Sequence, residues 1–214
     1  MANGVPDSMT PFLSIWTQPR ATIRRIVDTD PTRHVLALAA LGPALFSLFG
    51  QWSAALNGTA NQSVLWPLSV AFNVAFQAGL GILFLYISAA LIRWSGELLG
   101  GTASSVEVRA ALAWSQVPSI ALTIVLILAL FAGVPMPKVV PGHPIPFDAA
   151  LYRVTAVAGV VGTWQIFINL KCVGEVHRFS AWRALAAVLI PGLIIVVVVG
   201  IAAFLFLSIV ARRH

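Results

Sequence analysis

Between Val35 and Ile92 the chain has no Asp, Glu, Lys or Arg, and three later stretches, Ala110–Pro137, Val154–Leu170 and Ala184–Ala211, share that property. A water-soluble chain has no reason to keep charge out of such long blocks, whereas a bilayer enforces it. A charge at the bilayer centre costs about 2.5–3.5 kcal/mol on insertion scales. The fold class this dictates is all-α, a polytopic integral membrane protein. Composition agrees, since 59% of the 214 residues are apolar and only 9% are charged, against about 25% charged in an ordinary globular domain.

A helix needs about 20 apolar residues to cross the hydrocarbon core. The block from Val35 to Ile92 is too long for one crossing, and it divides at the turn formers Asn57-Gly-Thr-Ala-Asn-Gln-Ser63. Trp66-Pro67 follows as an interfacial aromatic and a helix-start proline. Ser104-Ser-Val-Glu107 has capping-box spacing and opens a third helix. The loop Val134–Phe147 carries Pro135, Pro137, Pro141, Pro144 and Pro146 and cannot be helical. The expected architecture is a five-transmembrane-helix bundle over 32–210, with helices at about 32–56, 67–93, 105–133, 150–172 and 182–210. A segment at 1–31 precedes it.

Within that segment Phe12, Leu13, Trp16, Pro19, Ile23, Ile26 and Val27 recur at helical steps, with Arg24, Arg25 and Asp28 on the far side and Arg20 on the flank. This predicts a short interfacial amphipathic helix, its arginines among phosphates. Residues 1–33 hold no apolar run of signal-peptide length, so the first span is expected to stay in the mature protein. With the N-terminus in the cytoplasm, Arg20, Arg24, Arg25, Arg33, Arg93, Arg109, Lys171, Arg178 and Arg183 fall on the inner side. Lys138, Arg153, Arg212 and Arg213 fall on the outer side. The excess of basic residues inside supports this orientation. Eleven arginines against two lysines, amid abundant Ala, Val and Gly, point to a GC-rich bacterial genome and hence the bacterial inner membrane.

The net charge of +6 sits beside apolar spans, so anionic lipid headgroups are the expected partners and nucleic acid is not. Each helix leaving the inner face pairs an arginine with a proline further along: Arg33 with Pro43, Arg109 with Pro118, Arg183 with Pro191. Such prolines either make three concerted hinges or reflect the general tolerance of membrane helices for proline.

Five amides fall inside the expected spans: Asn73, Gln77, Gln116, Gln165 and Asn169. They form a candidate intramembrane polar cluster, because Gln77 and Gln116 each lie about 15 Å from one helix end and so approach mid-membrane. Either they hydrogen-bond between helices that small residues bring close, or they line a passage or bind a headgroup or solute. No Asp, Glu, Lys or Arg lies within the charge-free stretches, which argues against proton-coupled transport. The small stripe Ala71, Ala75, Gly79 could serve a homo- or hetero-oligomer.

Catalytic patterns are missing. Cys172, Glu175 and His177 cluster without a zinc spacing, and no GxSxG, HExxH or P-loop occurs. No catalytic residue, metal or cofactor is expected, and a lone cysteine makes no internal disulfide. Cys172 reads as a small buried apolar residue, with acylation the alternative.

Three stretches carry a resemblance. Trp16-Thr-Gln-Pro-Arg-Ala-Thr-Ile-Arg-Arg-Ile-Val-Asp-Thr-Asp-Pro31 resembles the N-terminal signature of bacterial Yip1-domain proteins. Gly101-Thr-Ala-Ser-Ser-Val-Glu-Val-Arg-Ala-Ala-Leu-Ala-Trp-Ser-Gln-Val-Pro118 is similar to that family's most characteristic stretch, and Glu175-Val-His-Arg-Phe-Ser-Ala-Trp-Arg-Ala-Leu185 to its link into the last helix. The resemblance spans about residues 10–210. It implies a five-span, non-enzymatic membrane protein, since eukaryotic members serve vesicle traffic, associate with Rab-type GTPases and form hetero-oligomers. Those members have a longer soluble region before the first span. The resulting expectation is a scaffold or partner-binding protein in membrane organisation or trafficking, acting through Arg20, Arg24, Arg25, Glu107, Arg109, Arg178 and Arg183, with its protein partner unidentified. The alternative is a small channel or lipid/solute transporter built on the amides.

Overall fold

The computed structural model describes residues 10–56, 58, 63–134 and 149–211. Most of the turn cluster at 57–63, the proline-rich loop at 135–148 and the Arg212-Arg213 pair lie outside them. Among the described residues there are eight α-helices and no strand. They are α1 (Thr10–Ser14), α2 (Pro19–Thr29), α3 (Val35–Leu56), α4 (Trp66–Leu98), α5 (Ser105–Trp114), α6 (Val117–Phe131), α7 (Ala149–Val176) and α8 (Ala181–Ala211).

Among the described residues four segments are long and apolar enough to cross a membrane: Val35–Leu56, Trp66–Leu98, Ser105–Phe131 and Leu151–Val176. In each, only 17% to 39% of the most apolar stretch is buried in the protein. Phe72, Phe76, Phe167 and Trp164 stand outward, and apolar surface of this extent needs lipid around it.

The third segment, expected as one helix, is two. Pro118 has no N–H for the Trp114 carbonyl, and the residue before a proline resists the α conformation. The chain therefore turns at Ser115-Gln116 and restarts with Pro118 in the first turn of α6. Pro43 and Pro191 leave α3 and α8 continuous.

Those two prolines explain how the helices are placed. A proline leaves the carbonyl four residues earlier without its helical donor, here Ala39 in α3 and Ala187 in α8. Both are answered from α4. Ser95 donates its hydroxyl to the Ala187 carbonyl at 2.5 Å. Gly81 lies so close to Ala39 that a Cβ on it would stand 2.2 Å from that carbonyl oxygen and 2.8 Å from Pro43. Only glycine allows this approach, which suits a weak Cα–H···O contact. Asn73 adds a third tie, accepting from the Ser47 hydroxyl of α3 at 2.6 Å.

At one end of the bundle the elements close over a core of small residues. Ala110, Ala111 and Ala113 of α5 are fully buried, and Trp114 beside them donates its indole N–H to the Arg33 carbonyl. Ser104 and Glu107 form the reciprocal capping box that starts α5. Helix α4 ends in a Schellman motif: Gly100 takes φ 81°, Gly101 N–H bonds the Gly96 carbonyl and Gly100 N–H bonds that of Glu97. Helix α7 ends in the same pattern with Arg178 at φ 59°.

The α4 contacts generate two expectations. Ser95→Ala should cost about 1–3 kcal/mol, because it strands a buried carbonyl. In a Pro191→Ala background, where residue 191 regains an N–H for that carbonyl, the cost should fall to less than half. Thermal unfolding in detergent of the four proteins of this cycle checks it, and equal costs in both backgrounds would refute the pairing. Gly81→Ala should destabilise by about 1–3 kcal/mol through overpacking. Gly79→Ala, where a Cβ meets nothing within 4 Å, should be neutral or mildly stabilising by the same measurement.

Candidate functional site

Helix α4 packs on α3, α5 and α8, and α6 packs on α3 and α7, but α4 and α6 make no comparable contact. The gap between them is a cleft of about 610 Å³, in the range of small-molecule sites. Helix α4 contributes Gln77 and Ser88, the α5–α6 turn contributes Ser115 and Gln116, α6 adds Ser119 and Thr123, and α7 adds Gln165 and Asn169. Among the described residues no charged side chain lines it.

The turn before Pro118 puts Gln116 at the break, and Gly42 of α3 makes room for it: a Cβ at Gly42 would stand 2.8 Å from the Gln116 Oε1. Asn169 donates to the Ser115 hydroxyl at 3.0 Å, and the Ser119 hydroxyl donates to the Gln165 amide oxygen. Thr123 donates to the Ser119 carbonyl at 2.8 Å. Among the described residues, no protein group hydrogen-bonds the side-chain amides of Gln77 or Gln116.

The five predicted amides therefore separate. Gln77, Gln116, Gln165 and Asn169 meet at one cleft, while Asn73 is bonded to Ser47 and lies outside it. Ser115, Gly42 and the phenylalanines at the mouth, Phe46 and Phe84, carry no signal in the sequence. They become visible only once the helix break and the α3–α4 crossing are known.

The charged end forms a second site. Helix α2 lies against α5 and α7, with Thr22, Ile23 and Ile26 buried. Its expected lipid-facing stripe is thus covered by protein. Arg24 reaches Glu175 of α7 through Nε at 3.0 Å and Nη2 at 2.7 Å, and Nη2 also faces the Glu175 carbonyl at 3.3 Å. The bond to Glu175 raises the Arg24 pKa and keeps the guanidinium charged. Arg109 stacks over the Tyr86 ring at 4.6 Å, and Glu107 is held in its cap. Of the residues expected to form the basic face, Arg20, Arg25, Arg178 and Arg183 remain exposed, while Arg24, Glu107 and Arg109 brace the fold.

Between α2 and α7 runs a groove of about 530 Å³, where Arg20 and Lys171 stand beside Trp16, Trp164 and Phe167. The Trp164 indole N–H donates to the Trp16 carbonyl at 3.1 Å and fixes one wall.

The Cys172, Glu175 and His177 cluster does not assemble. Cys172 is fully buried against the Pro19 carbonyl, Glu175 is engaged by Arg24, and His177 is buried elsewhere. Among the described residues no group of His, Cys, Asp or Glu is arranged to hold a metal. The His177 imidazole is wedged between two backbones. A Cβ on Gly96 would stand 2.3 Å from its Cε1, and one on Gly101 would stand 2.3 Å from its Nδ1. Its ring stacks on Phe179 at 5.0 Å, and among the described residues neither ring nitrogen has a hydrogen-bond partner.

Burial lowers the His177 pKa, against the opposing pull of Glu107 and Glu97. A histidine kept neutral in the fold but free to protonate when unfolded weakens the fold as pH drops below its ordinary value of about 6.5. The melting temperature in detergent should therefore fall from pH 7.5 to pH 5.5, with a shallower dependence in His177→Phe. Identical slopes in the two proteins would contradict a buried neutral imidazole.

Residues 13–204 match the Yip1 domain family. No curated protein and no solved structure matches the chain. With most of its length matched, this multi-pass membrane protein belongs to the Yip1 domain family.

Proposed function

We propose that this protein is a non-enzymatic membrane organiser that works through its charged end, holding anionic headgroups and, with them, partner proteins of a membrane-organising or trafficking apparatus. In this reading α8 is the fifth crossing, the charged end faces the cytoplasm and the membrane is a bacterial inner membrane. The observation that carries it is the groove between α2 and α7. Two cations there, Arg20 and Lys171, have no hydrogen-bond partner among the described residues and stand beside interfacial aromatics. That is the arrangement a phosphate with attached acyl chains requires, charge for the head and rings for the chain. Burial of Ile23 and Ile26, together with the Arg24–Glu175 bridge, makes this a fixed surface rather than a loose anchor.

A second reading, passage of a lipid or solute, is supported by the amide-lined cleft. It predicts solute flux in proteoliposomes that falls when Gln77, Gln116 and Gln165 become leucine.

Native mass spectrometry of protein equilibrated with phosphatidylglycerol tests the first reading. Arg20→Gln/Lys171→Gln should retain the lipid about thirtyfold less well, since each cation near an anionic surface contributes about 1 kcal/mol. Arg25→Gln, outside this groove, should change little. Equal retention by wild type and the double variant would end the proposal.

A further inference from the structure

The cleft's chemistry points to a ligand of a different kind from the headgroups held at the charged end. Its polar lining is four amides, Gln77, Gln116, Gln165 and Asn169, with hydroxyls such as those of Ser119 and Thr123, and none of the described residues that line it carries charge. A phosphate or ammonium placed there would be a desolvated ion without a counter-charge, which costs several kcal/mol. A neutral group rich in hydroxyl, ester or amide functions meets donors and acceptors alike, because every amide and hydroxyl is both.

Two of the amides are unanswered. Gln165 and Asn169 bond to Ser119 and Ser115, but no protein group bonds the Gln77 and Gln116 side chains among the described residues, and both face the cleft. They sit on opposite walls, Gln77 on α4 and Gln116 at the turn between α5 and α6. A polar group held between them would restore the bonds that each lacks.

The mouth says where such a group comes from. Phe46 and Phe84 line the cleft and are 69% and 65% exposed. Phe84 lies nine residues from Arg93, the first charge along α4, about 14 Å along the axis, and Phe46 lies eleven residues from the start of α3, about 17 Å. The cleft therefore reaches the protein surface at apolar rings in the hydrocarbon layer. At about 610 Å³ it takes a polar head and the first part of a chain, with the remainder left among the surrounding lipids.

We infer that the cleft is a binding site for an uncharged lipid of the diacylglycerol type. Its hydroxyl and ester groups lie between Gln77 and Gln116, and its chains leave past Phe46 and Phe84. The site does not require that the lipid be carried across the membrane.

The test uses the full chain in phosphatidylcholine proteoliposomes with a photoactivatable diacylglycerol. Labelling is expected on peptides lining the cleft, and unlabelled diacylglycerol should suppress it. Phosphatidylglycerol and free glycerol should not. Gln77→Leu/Gln116→Leu should lower labelling at least about tenfold. Ser88→Phe, which fills the cleft from another position and spares both amides, should do the same and serves if the leucine variant does not fold. Wild-type labelling in a folded variant of either kind overturns the site. Equal competition by phosphatidylglycerol overturns its preference for an uncharged head, and displacement by glycerol overturns its assignment to a lipid. Arg20→Gln/Lys171→Gln should label like wild type, so failure at the charged end and failure at the cleft are told apart.

Discussion

A carbonyl released by proline inside a packed helix has to find its donor elsewhere in the protein, and the answer this chain gives to that problem organises the bundle. Buried away from water, an unsatisfied backbone group costs several kcal/mol. Pro43 and Pro191 release the carbonyls of Ala39 and Ala187, and α4 meets both, with Gly81 at the first and Ser95 at the second. The two positions are fourteen residues apart, about 21 Å along α4. Helices α3 and α8 are thereby set on one central rod. Helix α5 fits beneath with its small buried alanines, while α6 is carried away by the turn at Ser115-Gln116. The cleft is what remains between a rod that cannot follow α6 and a helix that cannot continue α5.

Much of the helical architecture is legible in the sequence because lipid is an undemanding partner: any apolar side chain satisfies it, so charge-free length alone marks a span. The cap at Ser104 and Glu107 and the stop at Gly100-Gly101 are equally local and equally readable. What the sequence conceals is which partner a group will find. Asn73 and Gln77 lie one turn apart on α4 and look alike, yet Ser47 of α3 bonds the first and none of the described residues bonds the second. The apolar stripe of α2 has the periodicity of a lipid-facing helix, but α5 and α7 cover it. Arg24 finds Glu175 across 151 positions of chain. Nor does a wheel distinguish Arg20, which faces outward into a groove, from Arg24, which braces the fold.

The two sites draw on opposite physics. In the reading proposed for the charged end, cations with aromatic neighbours meet anionic heads at the boundary of the bilayer, an attraction that is strong and salt-dependent. In the cleft, neutral donors and acceptors operate where a charge would be excluded. Interhelical amide bonds in membranes average only about 0.6 kcal/mol, so the bonds of Gln165 and Asn169 orient side chains more than they bind helices together. The prolines, with Gly81 and Ser95, do the holding. The amides are left free to shape the cleft.

His177 carries a mechanical consequence. Wedged between Gly96 and Gly101 and stacked on Phe179, it rivets the corner between α4 and α5 to the corner between α7 and α8. The helices that border the cleft thus share a fulcrum at the charged end, with α3 as the web between their free arms. Any spreading of such tongs grows with distance from the pivot. An occupant of the cleft would push on the long arms, and the displacement would be greatest at the end of the bundle away from α2 and its arginines.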